Sequence, residues 1–182
     1  MPTLISGSTG VNKITDGTIV DADINASAAI TGSKLVMPTG SVLQVVKSTV
    51  RTSASSSTSS TPAEISTNYR VTLTPRDASS KILLMFFGHI NIDSGAHGAF
   101  GFYRDINGGG YSKVSDGSGN EAFRNKGDDT RQQQATLICY DNPSTTNQCI
   151  YTMYFWRNAG SGNVQVNDNG MGSFMMAMEI AG

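Results

Sequence analysis

Apolar residues fall into two different patterns along this chain, and the pattern changes at Met37–Gly40. Before that point Ile14, Ile19 and Ile24 step by five residues, Ala29 holds the next place, and after a one-residue shift Ile30 and Leu35 resume the step. Five residues on an α-helix advance about 140° around the axis, so these side chains form no stripe; on a strand an odd step throws them onto alternate faces. The intervening Asp, Thr, Gly, Ser, Asn and Ala are too small and polar to build a core within one chain. A regular apolar step that cannot bury itself asks for neighbours, and identical copies wound about a common axis supply them. The expectation for residues 1–37 is a short polar lead followed by a stem, with Ile14, Ile19, Ile24, Ile30 and Leu35 packed in layers between chains. The competing expectation is a Gly/Ser/Asp linker without fixed structure.

Pro38 opens a second unit, residues 38–182, in which the apolar period falls to two. Ser41–Val50 reads as a strand, and Arg51–Pro62, nearly all Ser and Thr, as a mobile loop. Tyr69, Val71 and Leu73 alternate with polar residues up to Pro75. The most apolar run, Ser80–Asp93, has Ile82, Leu84, Phe86, Ile90 and Ile92 on one parity and Leu83, Met85 and Phe87 on the other, so both faces should be covered. Phe100–Ile106, a Gly-rich turn at Asn107–Gly110 and a return at Tyr111–Val114 come next, then a polar loop over Ser115–Asp129. Ala135–Tyr140 and Cys149–Arg157 flank Asp141–Gln148, whose Asn-Pro-Ser signals a turn, and together they predict a hairpin. Val164–Asn167 and Gly172–Gly182 supply the last strands. With no helical period among them, these segments predict an all-β, antiparallel β-sandwich, most simply a jelly roll.

Composition narrows the function more than the fold. Charged residues make up 15% of the 182 and the formal net charge is −1, so there is no basic field for nucleic acid and no polybasic patch for a membrane. The start, MPTLISGSTG, lacks the basic and apolar regions of a signal peptide, and no apolar run approaches membrane-spanning length.

The segment ITDGTIVDADINASAAITGSKL resembles the stem segments of bacteriophage fibre proteins, particularly those of marine and cyanobacterial phages. GSVLQVV, SKILLMFFGHI, FYRD, YDNPSTTNQCIYTMYF and the terminal MAMEIAG resemble the C-terminal head of the same proteins, so the resemblance spans most of the chain. It implies a homotrimer with a complement- or TNF-like jelly-roll head, located on the virion and assembled in the host cytoplasm. Residues 1–37 would hold other virion proteins of the tail or capsid, and the head would meet a host glycan or lipopolysaccharide. The short polar lead leaves a second role open, that of a capsid head fibre or decoration protein.

Reactive chemistry is sparse. G-x-S-x-G, a phosphate loop with its Lys, H-E-x-x-H and C-x-x-C are all missing from the sequence, so neither an enzyme nor a bound cofactor is expected. Asp21-Ala-Asp23-Ile-Asn25 starts like a calcium loop but has Ala26 and Gly32 where Gly and Glu are required. His89, Asp93 and His97 form the best metal trio, and Glu64 with Asp77, or Asp128 with Asp129, are the carboxylate pairs a depolymerase would need; ordinary strand and loop roles are the expectation for all of them. An in-register hairpin would set Cys139 opposite Cys149; with cytoplasmic assembly implied, two buried thiols are expected rather than a disulfide. Host contact is expected on loops, at 51–62, 93–99, 115–130 and 141–148, with Tyr111, Phe123, Arg124, Asn142 and Asn147 as the candidate residues.

Overall fold

The computed structural model describes residues 37–114, 123–127, 131–167 and 170–182, so the stem expected at Ile14–Leu35 and Asp128–Asp129 lie outside the described residues. The strands are β1 (Val42–Lys47), β2 (Ser55–Ser57), β3 (Ala63–Glu64), β4 (Val71–Leu73), β5 (Lys81–Ile92) and β6 (Ala96–Ile106), then β7 (Ser112–Lys113), β8 (Phe123–Lys126), β9 (Arg131–Asp141), β10 (Cys149–Gly160), β11 (Val164–Val166) and β12 (Phe174–Ile180). They form two sheets, and every pairing is antiparallel.

In the first sheet β5 is central. β9 runs along one side of it from Ile82 to Ile92, while β12 and β11 share the other side, with β1 outside β12 and β2 outside β11. In the second sheet β10 and β6 pair along their length, β4 and β3 flank β10, and β7 and β8 flank β6. The partners nest: β1 with β12, β4 with β10, β5 with β9, β6 with β8. That winding is a jelly roll, and the expected antiparallel sandwich is the fold observed.

Alternation explains what fills the sandwich. Ile82, Leu84 and Phe86 of β5, Met175 and Ala177 of β12, and Leu137 and Cys139 of β9 face inward from the first sheet. Phe100 and Phe102 of β6, Cys149, Tyr151, Met153 and Phe155 of β10, and Val71 and Leu73 of β4 meet them from the second. Each large side chain so buried stabilises the fold by about 1.5–3 kcal/mol. Tyr69 closes one end edge-on against Phe86, 5.4 Å between ring centres, and its hydroxyl joins that of Ser173 and the Asn167 amide nitrogen in a buried polar cluster that also binds the Arg51 carbonyl.

Four local expectations are corrected. β9 and β10 are not a hairpin: β9 pairs with β5 in one sheet and β10 with β6 in the other, so residues 142–148 cross between sheets. Cys139 therefore sits beside Leu84 and Cys149 beside Leu73 and Ile106; no disulfide joins them, and both are buried as small residues of opposite sheets. Ser55–Ser57 of the supposed loop is a strand, because pairing with β11 uses main-chain groups that need no apolar side chain. Tyr69 belongs to a 3-10 turn, Thr67–Tyr69, capped by Ser66 Oγ accepting from the Asn68 N–H, and Phe123–Lys126 is a strand on β6 rather than loop.

The register also orients the head. Met37–Ser41, the C-terminus, residues 74–80, the turn at 107–110 and the 142–148 crossing gather at one end, where Gly40 donates to the Ala181 carbonyl. Residues 93–95, 158–163 and 167–173 lie at the other end.

Candidate functional site

The outward face of the first sheet is the feature that the core leaves unexplained. Across β1, β12, β5 and β9 the register lines up Val45, Met178, Leu83 and Tyr140 in one row, then Lys47, Met176, Met85 and Ile138 in the next. A third row holds Phe174, Phe87 and Thr136, with the two rings stacked 4.9 Å apart. Val45, Ile138 and Tyr140 are 54%, 56% and 47% exposed, an unusual fate for such side chains on a sheet that already has a filled inner face. Lys47 is the charged residue of these rows, and its ammonium lies 4.3 Å from the centre of the Phe174 ring, so its stem extends the apolar cover. With strands ~4.8 Å apart and like-facing residues ~6.7 Å apart, the three rows span roughly 350 Å² of sheet. A contiguous apolar surface of that size falls within the range of the largest patch on an ordinary monomer, a patch that is often functional.

Part of this was readable. The second parity of the β5 run, Leu83, Met85 and Phe87, predicted a covered outer face; the covering within the chain is partial, since all three are half-buried. Met176 and Met178 are on the same surface, whereas Met175 is core. Val45, Ile138 and Tyr140 escaped notice because their strands alternate correctly and only the register reveals that they extend the same rows.

The second sheet turns a different surface outward. Tyr103 of β6 and Tyr154 of β10 stack with ring centres 3.9 Å apart, and Tyr111 stands 6.0 Å from Tyr154. Glu64 accepts two hydrogen bonds from Arg70, at 2.8 and 2.7 Å, and one from Thr152 Oγ1 at 2.8 Å. Burial pushes the Glu64 carboxyl up, but the Arg70 and Thr152 hydrogen bonds and the Arg70 charge outweigh it, and the net shift is downward. Burial holds the Tyr103, Tyr111 and Tyr154 phenols above their ordinary value.

The expected contact residues do not form one site. Tyr111 and Arg124 lie along this second face, Arg124 exposed on β8 opposite Ala99. Phe123 opens β8, and its side chain lies outside the described residues. Asn142 and Asn147 are exposed at the end where the chain enters the head. His89 is buried on β5 opposite Gln134, His97 pairs on β6 with Lys126, and Asp93 Oδ2 accepts from the Asn163 N–H and amide at 2.9 and 2.7 Å. Among the described residues no three His, Cys, Asp or Glu gather as metal ligands, and no helix is long and apolar enough to cross a membrane. Glu64 and Asp77 have separate partners, Asp77 accepting from the Ser79 N–H at 2.8 Å.

No family model matches the chain, and no curated protein matches it. Among solved structures, one described as the structure of infectious bursal disease virus Gt strain is similar at a TM-score of 0.39 and 10% identity, over 85% of this chain and 42% of that chain. The chain thus spans under half of that neighbour's length, and at this score the likeness carries no argument about either fold or function.

Proposed function

We propose that the protein is a virion structural protein, a homotrimeric phage fibre or spike whose jelly-roll head attaches to a host-surface glycan or lipopolysaccharide. The observation that carries the self-association is the set of three apolar rows on the first sheet, which a second and third copy would cover. The isoleucine step of Ile14–Leu35 and its resemblance to phage stems support a threefold arrangement and a hold on other virion proteins through residues 1–37. Attachment needs no catalysis: three copies, each binding weakly, engage together and gain by avidity. We read the head as a binding rather than a catalytic unit.

Light scattering on the full chain tests the first step. The expected mass is three times the 19.2 kDa of the chain, and a monomer at micromolar concentration overturns the reading. A capsid head fibre or decoration protein is the second reading, since self-association through the apolar rows of the first sheet fits it equally well. Immunogold labelling of virions with antibody to the head separates the two: label at the tail supports attachment, and label across the capsid supports decoration.

A further inference from the structure

Strand alternation divides the methionines of the sandwich between two environments. Met153 of β10 and Met175 of β12 point into the core and are fully buried. Met85 of β5, with Met176 and Met178 of β12, points the other way, onto the outer face of the first sheet, and all three are half-buried. Met85 and Met176 stand directly opposite one another, and Met178 stands opposite Leu83 in the adjoining row. Beyond them in the same rows lie Val45 of β1 and Ile138 and Tyr140 of β9, all exposed. Three thioethers thus sit side by side in the middle of the apolar surface.

A thioether is apolar enough to belong there, and it differs from leucine in carrying a polarizable, oxidisable sulfur. A hydroperoxide transfers one oxygen atom to that sulfur. The sulfur lone pair forms the new S–O bond, the O–O bond breaks, the sulfur is oxidised by two electrons to a sulfoxide, and the peroxide is reduced to water or an alcohol. The product is a polar hydrogen-bond acceptor beside Leu83, Phe87, Phe174 and Ile138. Covering it with a second apolar face strips its water, and the middle of the rows supplies no donor in exchange.

We propose that Met85, Met176 and Met178 form an oxidation site that governs self-association: a hydroperoxide converts them to sulfoxides in the free chain, and the oxidised chain does not assemble. The proposal rests on the reading that other copies cover the first sheet, and it deepens that reading by naming a modification that acts on the interface. Covering copies shield the sulfurs, so the reaction consumes dissociated chains. Each chain that reacts is withdrawn from the equilibrium, which draws further dissociation by mass action. The core is spared, because Met175, the neighbour of Met176 in sequence, faces the other side of the sheet.

Hydrogen peroxide added to the full-length protein, followed by peptide mass spectrometry, tests this. In dilute protein Met85, Met176 and Met178 should gain oxygen about tenfold or more faster than the buried Met153 and Met175. Their rates should fall as the protein is concentrated through its assembly range, whereas that of Met171, exposed at the far end of the head, should not. Once freed of peroxide, the oxidised protein should need about tenfold or more higher concentration to assemble, with unchanged far-UV circular dichroism, and methionine sulfoxide reductases should restore it. The triple variant Met85→Leu, Met176→Leu, Met178→Leu, which nearly conserves volume, should assemble alike before and after peroxide. Rates that ignore concentration, equally fast oxidation of native Met175, or unimpaired assembly of chains oxidised at all three positions would overturn the proposal. Light scattering of untreated protein separates the failures: a trimer that persists after full oxidation of the three sinks this site alone, and an untreated monomer sinks the self-association reading beneath it.

Discussion

At the scale of single residues, the least expected is Glu179. It sits on the inward parity of β12, fully buried, in a row otherwise made of Met175 and Ala177. Its carboxylate accepts from the Ser80 hydroxyl at 2.7 Å and the Arg76 N–H at 2.6 Å, and the Gln44 amide donates to its other oxygen. It thereby ties the loop from β4 to β5 to the last strand, in place of main-chain pairing. Alternation marks this position as inward but cannot say that a loop of orphaned donors will cover it. Glu179→Ala should leave the Arg76 N–H and Ser80 hydroxyl without an acceptor and cost about 2–3 kcal/mol, read as a lower urea midpoint; Glu179→Gln, which keeps an acceptor oxygen, should cost less. Glu64 contributes to stability on the acid side. Its folded pKa lies below the ordinary carboxyl value, so its contribution is present above that value and is lost as pH falls through the folded one. Thermal melts between pH 6 and pH 3 should show stability falling over the acid part of this range, and Glu64→Gln should flatten that part of the curve.

At the scale of elements, the strands with clear period two were legible: β5, β6, β10 and β12 stand where their apolar residues alternate. What alternation does not encode is the partner. Ala135–Tyr140 and Cys149–Arg157 have the lengths and the turn residues of a hairpin, yet each pairs with a strand from earlier in the chain, because a jelly roll rewards matching the long β5 and β6 over their whole length. Short strands were harder. Ser55–Ser57 has no apolar residue, and Ala63–Glu64 is too short to show a period, so pairing with β11 and β10 is set by geometry alone. The crossing has a chemical consequence for the two thiols. Cys139 and Cys149 face inward from opposite sheets, both buried, and burial pushes the Cys149 thiol up. A thiol reagent such as dithiobisnitrobenzoate should therefore label neither in the native protein at pH 8 over minutes, and both at once in urea; rapid native labelling of either would contradict the packing.

At the scale of the whole molecule, the sandwich presents two outer sheet faces of different make-up, which the sequence could not tell apart. The charged fraction and the missing motifs point away from enzymes and nucleic-acid binders, and variable, polar loops are where a sequence suggests contact; the sheet faces become visible only through register. The apolar rows of the first sheet cover roughly 350 Å², less than the ~800 Å² per partner of an ordinary stable interface. Head-to-head contact alone is then a modest interaction, and in the proposed trimer the stem would contribute by holding the heads at high effective concentration. Assembly should accordingly depend on both parts. Folding coupled to association makes the melting temperature rise with protein concentration. That rise should be plain in the wild type and absent in Met85→Glu, which sets a charge in the middle row. Replacing Ile19 and Ile24 together by Asp should leave the far-UV circular dichroism of the head intact and shift the concentration needed for assembly upward by tenfold or more. If the double stem variant assembles as readily as the wild type, the first sheet alone joins the chains, and Ile14–Leu35 acts as a linker.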